Sequence, residues 1–354
     1  MKSGLLGSAV FLPSLSTSCK SNNEIEQNDF YTPVRRKVMM VMLSTQKQNW
    51  EHGIACQAFV ETGDETMMIL MAREAVLRQG DDGRLAVISV AAGINDSATP
   101  LEAVLRSYEI LGDPKLKKAS DRMLEYLFEE APRTEEGYIH HSYHGPELWA
   151  DTIFMGPPFL AFAGYPEEAV KQVRGIRKQL WIEEESLFAY RYNAALHEIT
   201  HPRLWGLANA HALSGLAMLT ERLPGNMATE KEEMKNYARK HLDGCLKYIR
   251  EDFLFHDTIN DPSTFVESSL AMRVAYTIFK GVNAGWLNEN YLETALNIRN
   301  SVYEKIDDLG NVMGVPGSPD YSDPGRSTEG QAFFLMMEAA FENLGEEHTR
   351  LIPS

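Results

Sequence analysis

The chain has 354 residues, of which 44% are hydrophobic and 24% are charged, and these proportions are typical of a folded globular protein. Its 34 Lys and Arg residues and 50 Asp and Glu residues give a formal net charge of −16. A chain this acidic is poorly suited to bind nucleic acid or an anionic membrane through bulk electrostatics. Its 3 cysteines are too few for a disulfide framework. No apolar run reaches the roughly 18 residues that a membrane-spanning helix needs.

The first thirty residues differ in composition from the rest of the chain. Lys2 is followed by an apolar stretch at 4–12, by small residues before Cys19 and by a polar tract at 20–29. This pattern predicts an export signal with a lipid anchor at Cys19, which implies a periplasmic protein or a lipoprotein. The alternative is a disordered tail or a cloning remnant on a cytoplasmic protein. We therefore treat 31–354 as a single folded domain and leave 1–30 out of the fold.

From residue 31 onward, apolar helical segments repeatedly end at a glycine, and a new helix begins within a few residues. Glycine relieves the left-handed residue that ends a helix, and proline favours the first turn of the next helix. Successive glycines are 49 to 64 residues apart, which corresponds to one helical hairpin per interval. The predicted turns contain Gly63, Gly112, Gly164, Gly225, Gly281 and Gly345.

The two ends of this pattern complement each other. Gly345 has only nine residues after it, so the helix before it lacks a partner, and a helix at about 33–46 is left over at the start. Pairing the two closes six hairpins into an all-α ring, an (α/α)6 barrel. The alternative is an open solenoid, which would expose apolar faces at both ends without capping repeats.

The predicted connections between hairpins are unusually long for a helical protein, in which such connections usually span about 2–8 residues. All five lie at the same end of the ring, because the short glycine turns occupy the other end. Histidines, aromatic residues and isolated carboxylates gather in them, so we expect a ligand pocket over the long-loop end. The connections are predicted at 80–98, 130–148, 182–205, 250–263 and 306–326.

One segment resembles a known family signature. Residues 149–161, Trp-Ala-Asp-Thr-Ile-Phe-Met-Gly-Pro-Pro-Phe-Leu-Ala, are similar to the signature of glycoside hydrolase family 105, the unsaturated rhamnogalacturonyl hydrolases. That family is related to family 88, the unsaturated glucuronyl hydrolases. Further segments match in the same order at 48–53, 95–96, 204–206 and 325–334. The resemblance covers about 33–345 and implies a six-hairpin α/α barrel, in agreement with the glycine pattern.

The resemblance implies a hydrolase of oligosaccharides that lyases release from pectin and related polysaccharides. These substrates carry an unsaturated uronic acid with a C4–C5 double bond at the non-reducing end. Family enzymes add water across this double bond, and the glycosidic bond breaks when the resulting hemiketal opens. One carboxyl group protonates C4 and then takes a proton from the water that attacks C5. The resemblance implies no metal, nucleotide or covalent intermediate.

Asp151 matches the general acid/base of the family, and Asp96 matches the second aspartate, which contacts sugar hydroxyls. Asp151 lies between Trp149 and an apolar segment that includes Met155, so we expect desolvation to raise its pKa. For each aspartate the alternative is a helix cap or turn residue, a position that aspartate favours generally.

Further residues are predicted to contact the substrate. His140 lies eleven residues before Asp151, where the family has a substrate-contacting histidine, and the adjacent His141 is the alternative. Trp50 and Trp205 match pocket-lining aromatic positions, and Trp149 and Met155 flank the catalytic aspartate. The complete predicted binding set is Trp50, His140, Trp149, Met155, Arg191, Trp205, Asn209, His211 and Arg326.

The sequence also departs from the family pattern. Where the family has an arginine and, four residues later, a tryptophan, this chain has Leu207 and His211. An anionic substrate still needs a cation or several donors. We expect Arg191, Arg203 or Arg326 to replace the missing arginine, and the alternative for each is a solvated charge at the rim.

Two other functions remain open at this point. Sugar epimerases and isomerases also use α/α toroids, with histidines as acid and base. A carbohydrate-binding protein without activity is the second alternative, motivated by Leu207 and by the segment at 190–193, which also departs from the family pattern. The sequence leaves open which sugar follows the uronate, which linkage is cut and how many chains assemble.

Overall fold

The computed structural model describes residues 30–89 and 93–345. The predicted export signal and the anchor at Cys19 lie outside the described residues. Within the described ranges, no helix combines the length and apolar character that are needed to cross a membrane.

The described chain folds into two concentric sets of helices. The outer helices are α1 (Pro33–Thr45), α3 (Glu65–Leu77), α5 (Pro114–Glu125), α8 (Pro166–Leu180), α10 (Ala228–Leu246) and α12 (Leu292–Tyr303). The inner helices are α2 (Asn49–Glu61), α4 (Leu101–Leu111), the broken helix α6 (Thr152–Met155) and α7 (Pro157–Phe162), α9 (Gly206–Arg222), α11 (Ser269–Asn283) and α13 (Thr328–Glu342). Pro157, at the start of α7, explains the break, because its ring fits only the first turn of a helix.

The inner helices close into a ring. Each packs against the next in chain order, and α13 packs against both α11 and α2. The N-terminal helix α1 packs against α13, where Arg35 pairs with the buried Glu338 at 2.6 Å. The first helix therefore supplies the partner that the last helix lacks, and the predicted (α/α)6 barrel is confirmed.

The short connections follow the glycine pattern with one exception. Gly63, Gly112 and Gly164 all adopt positive φ, the conformation in which glycine is favoured after a helix. The turn predicted at Gly281 is wrong, because α11 continues to Asn283 and the positive φ occurs at Gly285.

The five long connections agree closely with the predicted ones, and the second to the fifth contain short antiparallel strands. A three-stranded sheet in the order β1 (Glu147–Trp149), β4 (Arg191–Asn193), β5 (Glu198–His201) joins two connections and pairs Trp149 with Arg191. The remaining strands are β2 (Trp181–Ile182), β3 (Leu187–Phe188), β6 (Phe255–His256), β7 (Val266–Glu267), β8 (Val315–Pro316) and β9 (Pro324–Gly325). Strands of two to four residues are too short to produce a visible alternation in sequence.

Candidate active site

A cavity of about 520 Å³ opens at the long-loop end of the barrel. Four of the five long connections contribute to it, together with the first turns of α2, α9 and α13 and the end of α6. Its lining residues are Gln48, Trp50, Ser89, Gly93, Asp96, His141, Ser142, His144, Trp149, Asp151, Met155, Tyr190, Arg191, Trp205, Leu207, Pro319, Asp320, Tyr321 and Glu329.

Asp151 lines this cavity immediately before α6 and is only 7% exposed. It occupies the N-cap position, but its side chain accepts no hydrogen bond from the helix backbone. Among the described residues, its Oδ2 atom has no hydrogen-bond partner. Burial raises the pKa of Asp151 above its usual range. The carboxyl group is therefore not used as a cap, and it is poised to hold a proton that it can give to a ligand.

Asp96 lines the same cavity from a short 3-10 helix, Asp96–Ala98, ahead of α4. A Cβ atom at Gly93 would lie 1.7 Å from Asp96 Oδ2, so only glycine allows the carboxyl group to occupy its position. Burial, together with the negative charges of Asp151 and Glu329, raises the pKa of Asp96 to about 7. Like charges on these two aspartates favour a state in which they share one proton.

Of the two adjacent histidines, His141 lines the cavity, whereas the prediction chose His140 and kept His141 as the alternative. The backbone N–H of Ile94 donates to the carbonyl of His141 at 2.8 Å, and this contact between two connections fixes the register. His141 stacks on Trp149 with a centroid separation of 4.1 Å, and its Nε2 lies 4.0 Å from Asp96 Oδ1. Burial lowers the pKa of His141 to about 3, so its imidazole is neutral near pH 7. His140 is half-buried and does not line the cavity.

Arg191 supplies a guanidinium group to the cavity. It lies 3.7 Å above the ring centroid of Trp149 and 4.3 Å from that of Tyr190, and its Nη2 donates to the Tyr190 hydroxyl at 2.7 Å. Antiparallel pairing of β1 with β4 produces this stack, because it places Trp149 opposite Arg191. No carboxylate of the described chain forms an ion pair with Arg191, so its charge remains available to an anionic ligand.

The other two candidate arginines lie elsewhere. Arg203 forms an ion pair with the buried Asp257 and donates to Thr258 at 2.8 Å. Arg326 is exposed, does not line the cavity and donates to Asn311 at 3.0 Å. The prediction that Arg326 contacts a ligand in this cavity is therefore not met by its position.

Three predicted apolar contacts line the cavity as expected. Trp50 donates from its Nε1 to the hydroxyl of Tyr321 at 3.2 Å, and Trp205 donates from its Nε1 to Asp257 at 2.9 Å. These bonds fix the orientation of the two indole rings in the cavity wall. Met155 ends α6 and is 3% exposed.

The predicted Asn209 lies behind the wall and not in it. It is fully buried, its amide donates to the carbonyl of Phe188 at 3.0 Å, and its carbonyl accepts from the Phe188 N–H at 2.9 Å. This pair of bonds ties β3 to α9, so the prediction that Asn209 touches substrate is replaced by a structural role. Leu207, where the resembling family has arginine, does line the cavity.

The sequence did not single out Glu329, on the first turn of α13. It is 3% exposed, lines the cavity, and its Oε1 lies 3.6 Å from Nε2 of His211 on α9. Burial raises the pKa of Glu329 to about 8. No local pattern marks Glu329, because α13 also carries Glu338 and Glu342, and only the fold shows that Arg35 pairs with these two. His211 is buried behind the cavity and does not line it.

The site thus combines aromatic faces, three buried carboxyl groups and one stacked guanidinium group. Aromatic rings and carboxyl groups suit a sugar, and the guanidinium group suits an anionic substituent. In the described ranges, no three His, Cys, Asp or Glu side chains converge as a metal site would require. A carboxyl group with a raised pKa, next to a second carboxyl group, is an arrangement for acid–base catalysis on a carbohydrate.

Comparisons with known proteins agree with this class. The model of Glycosyl Hydrolase Family 88 matches residues 22–340, so this protein belongs to that family and is a glycoside hydrolase. The chain is 23% identical over 288 residues to the unsaturated rhamnogalacturonyl hydrolase YesR of Bacillus subtilis (strain 168), an alignment that covers 75% of this chain and 78% of YesR. The resemblance to families 105 and 88 is thereby confirmed.

Solved structures share the fold. A possible member of family 105 from Klebsiella pneumoniae superposes with a TM-score of 0.75 at 18% identity, covering 94% of this chain and 99% of that one. The unsaturated glucuronyl hydrolase of Bacillus sp. GL1, responsible for the degradation of glycosaminoglycan, superposes with a TM-score of 0.63 at 14% identity, covering 84% of this chain and 86% of that one.

Proposed function

We propose that this protein removes the unsaturated uronic acid from the non-reducing end of lyase-generated oligosaccharides, with Asp151 as the general acid/base. The observation that carries the proposal is the state of Asp151, whose carboxyl group is buried in the cavity wall with Oδ2 unpartnered and its pKa raised. Such a group holds its proton to higher pH than an exposed aspartate does, and its Oδ2 atom has no competing donor in the described chain.

The reaction needs one carboxyl group in two steps. The protonated Asp151 gives its proton to C4 of the double bond, and positive charge develops at C5 and on the ring oxygen. The Asp151 carboxylate then takes a proton from the water molecule that forms a bond to C5. The product is a hemiketal that opens to a ketone, and the bond to the next sugar breaks with it. Asp151 ends the cycle protonated, as it began.

Asp96 assists by holding the sugar and by setting the charge of the pair. Because the negative charge of Asp151 helps to raise the pKa of Asp96 to about 7, the pair favours a state that retains one proton. When the shared proton lies on Asp151, the ionised Asp96 accepts hydrogen bonds from sugar hydroxyls. Trp50 and Trp205 supply apolar faces against which the pyranose ring packs.

Arg191 binds the uronate carboxylate. It takes the role expected of the family arginine, whose position is occupied here by Leu207. Of the three candidate arginines it is the one that lines the cavity and has no carboxylate partner in the described chain. Its stacking between Trp149 and Tyr190 holds the guanidinium plane in a fixed orientation, so little side-chain entropy is lost on binding.

Turnover destroys the conjugated unsaturated carboxylate, so the ultraviolet absorbance of a lyase digest falls as the reaction proceeds. The test is a screen of the purified protein over unsaturated pectin, glycosaminoglycan and ulvan digests. We expect absorbance to fall with at least one of them. If absorbance stays constant with every digest, the proposed function is wrong. Binding of an unsaturated disaccharide without turnover would favour a carbohydrate-binding protein instead.

The epimerase or isomerase alternative fits this site less well. His141 and His211 are both buried, and burial lowers the pKa of each to about 3. Histidines of this kind are poor proton acceptors near neutral pH, whereas the carboxyl groups beside them have raised pKa values. Membership of a glycosyl hydrolase family also contradicts this alternative.

A further inference from the structure

The His211–Glu329 pair lies next to Leu207 in the fold. Leu207 and His211 are four residues apart on α9, so they share one face of the helix, and His211 is one turn deeper in the barrel. Glu329 approaches from α13 and reaches the cavity, with its Oε1 3.6 Å from His211 Nε2. A polar pair therefore lies one helical turn below the position at which the resembling family has an arginine.

In the described chain, His211 and Glu329 have few polar partners besides each other. The ring of His211 packs against Phe154 at 5.3 Å and Phe333 at 5.2 Å, between centroids. In the described chain, His211 Nδ1 and Glu329 Oε2 have no hydrogen-bond partner, although both atoms are buried. A buried, unpartnered polar atom carries a free-energy cost unless something binds it. Glu329 Oε2 belongs to a residue that lines the ligand cavity, so a ligand is the natural partner.

The charged and titratable groups around Glu329 come from several elements. The positive charge of Arg273 lowers the pKa of Glu329, but burial has the larger effect, and the pKa remains raised. α1, which also packs against α13, directs Arg35 to Glu338 at the other end of the helix. The groups that influence Glu329 or are influenced by it are Glu51 on α2, His211 on α9, Arg273 on α11, and Asp96, Asp151 and Tyr321 in the connections.

Counting protons gives the charge of the pair. A neutral His211 beside a protonated Glu329 holds the same number of protons as a cationic His211 beside an ionised Glu329, and both states have no net charge. Burial raises the pKa of Glu329 to about 8 and lowers that of His211 to about 3, so the neutral state is favoured. In that state the Glu329 carboxyl group is a hydrogen-bond donor. Near neutral pH the pair therefore does not repel an anion.

We propose that Glu329 is a further substrate-binding residue, which as the neutral acid positioned by His211 donates a hydrogen bond from its carboxyl group to the anionic uronate. The inference rests on the proposed function for the identity of this ligand. It explains how an acidic protein with Leu207 in place of arginine holds an anion, because a protonated acid supplies a donor without adding a charge. Loss of this proton would convert a donor into a repelling carboxylate.

Binding can be measured without turnover in the Asp151→Asn protein. We would titrate it with a purified unsaturated disaccharide and with the methyl ester of the same disaccharide, from about pH 6 to about pH 9, and repeat this with Asp151→Asn/Glu329→Gln. In the parent, we expect Kd for the acid to rise by up to about tenfold per pH unit once the pair loses its proton. In the Gln variant, whose amide is neutral and still donates, we expect Kd to change much less with pH. The ester should show little pH dependence in either protein.

One further measurement and two further variants keep the inference testable. Binding of the acid should take up a proton at alkaline pH, which calorimetry in buffers of different ionisation enthalpy detects. If the Gln variant does not fold, the pH titration is made with Asp151→Asn/Asp96→Asn, in which the two buried aspartates of the cavity cannot ionise and Glu329 still can. His211→Phe keeps the packing against Phe154 and Phe333 but removes the polar partner, and we expect weaker binding of the acid with an unchanged melting temperature.

The inference is overturned if the Gln variant and its parent show the same dependence of Kd on pH, or if binding takes up no proton. It is also overturned if the acid and its methyl ester respond alike. Failure of the proposed function gives a different result. The wild-type protein then shows no turnover, whatever the outcome of the binding experiment.

Discussion

Carboxyl groups near the short-turn end of the barrel and those that line the ligand cavity are buried in opposite ways. Near the short-turn end, Glu61 lies 3.0 Å from Lys280, and Glu102 lies 2.6 Å from Arg222. Burial acts to raise the pKa of Glu61, but the charges of Lys280 and Arg222 outweigh it, and the pKa falls below its usual value. The Glu61 carboxylate is therefore held ionised, and the two ion pairs connect α2 with α11 and α4 with α9.

At the long-loop end, Asp96, Asp151 and Glu329 have no Lys or Arg within ion-pair distance among the described residues. Burial raises the pKa of all three. A buried acid without a cation retains its proton, whereas a buried acid beside a cation loses it. The difference distinguishes carboxyl groups that stabilise the ring from those available for proton transfer, although all of them lie inside one barrel.

The largest expected effect is on catalysis at Asp151. Asp151→Asn removes the proton donor while keeping the shape, and general acid–base catalysis contributes about 10²- to 10⁴-fold. We expect kcat to fall by about 10³-fold with the melting temperature unchanged, because Oδ2 has no partner to lose in the described chain. Absorbance assays on an accepted digest measure the rate. A variant with full activity would leave the proposed function intact but would remove Asp151 from its role.

The matched change at the other end is Glu102→Gln. It leaves Arg222 buried with its ion-pair partner neutralised, and breaking such pairs costs about 3–5 kcal/mol. We expect chemical denaturation to show this loss of stability, while kcat per folded molecule remains close to wild type. A large fall in kcat in the folded variant would contradict the division between the two ends.

A smaller effect is expected for substrate affinity at Arg191. A hydrogen bond to a charged group contributes about 1.5–3 kcal/mol, so Arg191→Gln should raise KM by about 10- to 100-fold. Arg191→Lys keeps the charge but loses the planar stack on Trp149, and we expect an intermediate value. Arg326→Gln is the matched control outside the cavity and should leave KM unchanged. An equal effect of the two substitutions on KM would contradict the placement of the uronate carboxylate beside Arg191.

The fold was largely predictable because its determinants are local. Positive φ after a helix favours glycine, and Gly63, Gly112 and Gly164 mark three turns by this property alone. Gly281 misled the prediction because its role is tertiary, since a Cβ atom there would lie 2.5 Å from Leu287 Cδ1. A glycine required for close packing and one required for a turn look alike in a sequence.

The site residues were predictable where a sequence motif identified them. They were not predictable where packing determines which side chain reaches the cavity. Asp96 and Asp151 were identified by resemblance, and the structure brings both to one cavity. The choice between His140 and His141 depends on a backbone bond from another connection, which no local pattern encodes. Glu329 was missed because its properties arise from burial without a cation, and burial of a single polar side chain is not visible in sequence.

The smallest expected effect, and the sharpest test of the comparison, is that stability depends on pH with opposite sign at the two ends. Glu61 has a lowered pKa in the folded protein. Its contribution to the free energy of unfolding is therefore present above the unfolded-state pKa and is lost as pH falls through the folded-state value. Glu329 has a pKa raised from 4.5 to about 8, so its contribution is complete below the unfolded-state value and is lost as pH rises towards about 8.

Each group contributes a slope of at most about 1.4 kcal/mol per pH unit. Relative to wild type, Glu329→Gln should therefore gain stability as pH rises from about 5 to about 8, and Glu61→Gln should lose stability as pH rises from the acid range to about 4.5. Denaturation at a series of pH values measures both differences. Slopes of the same sign would show that Glu329 is ionised in the folded protein, and the proton that the cavity needs to hold an anion would then have to reside on Asp96 or Asp151.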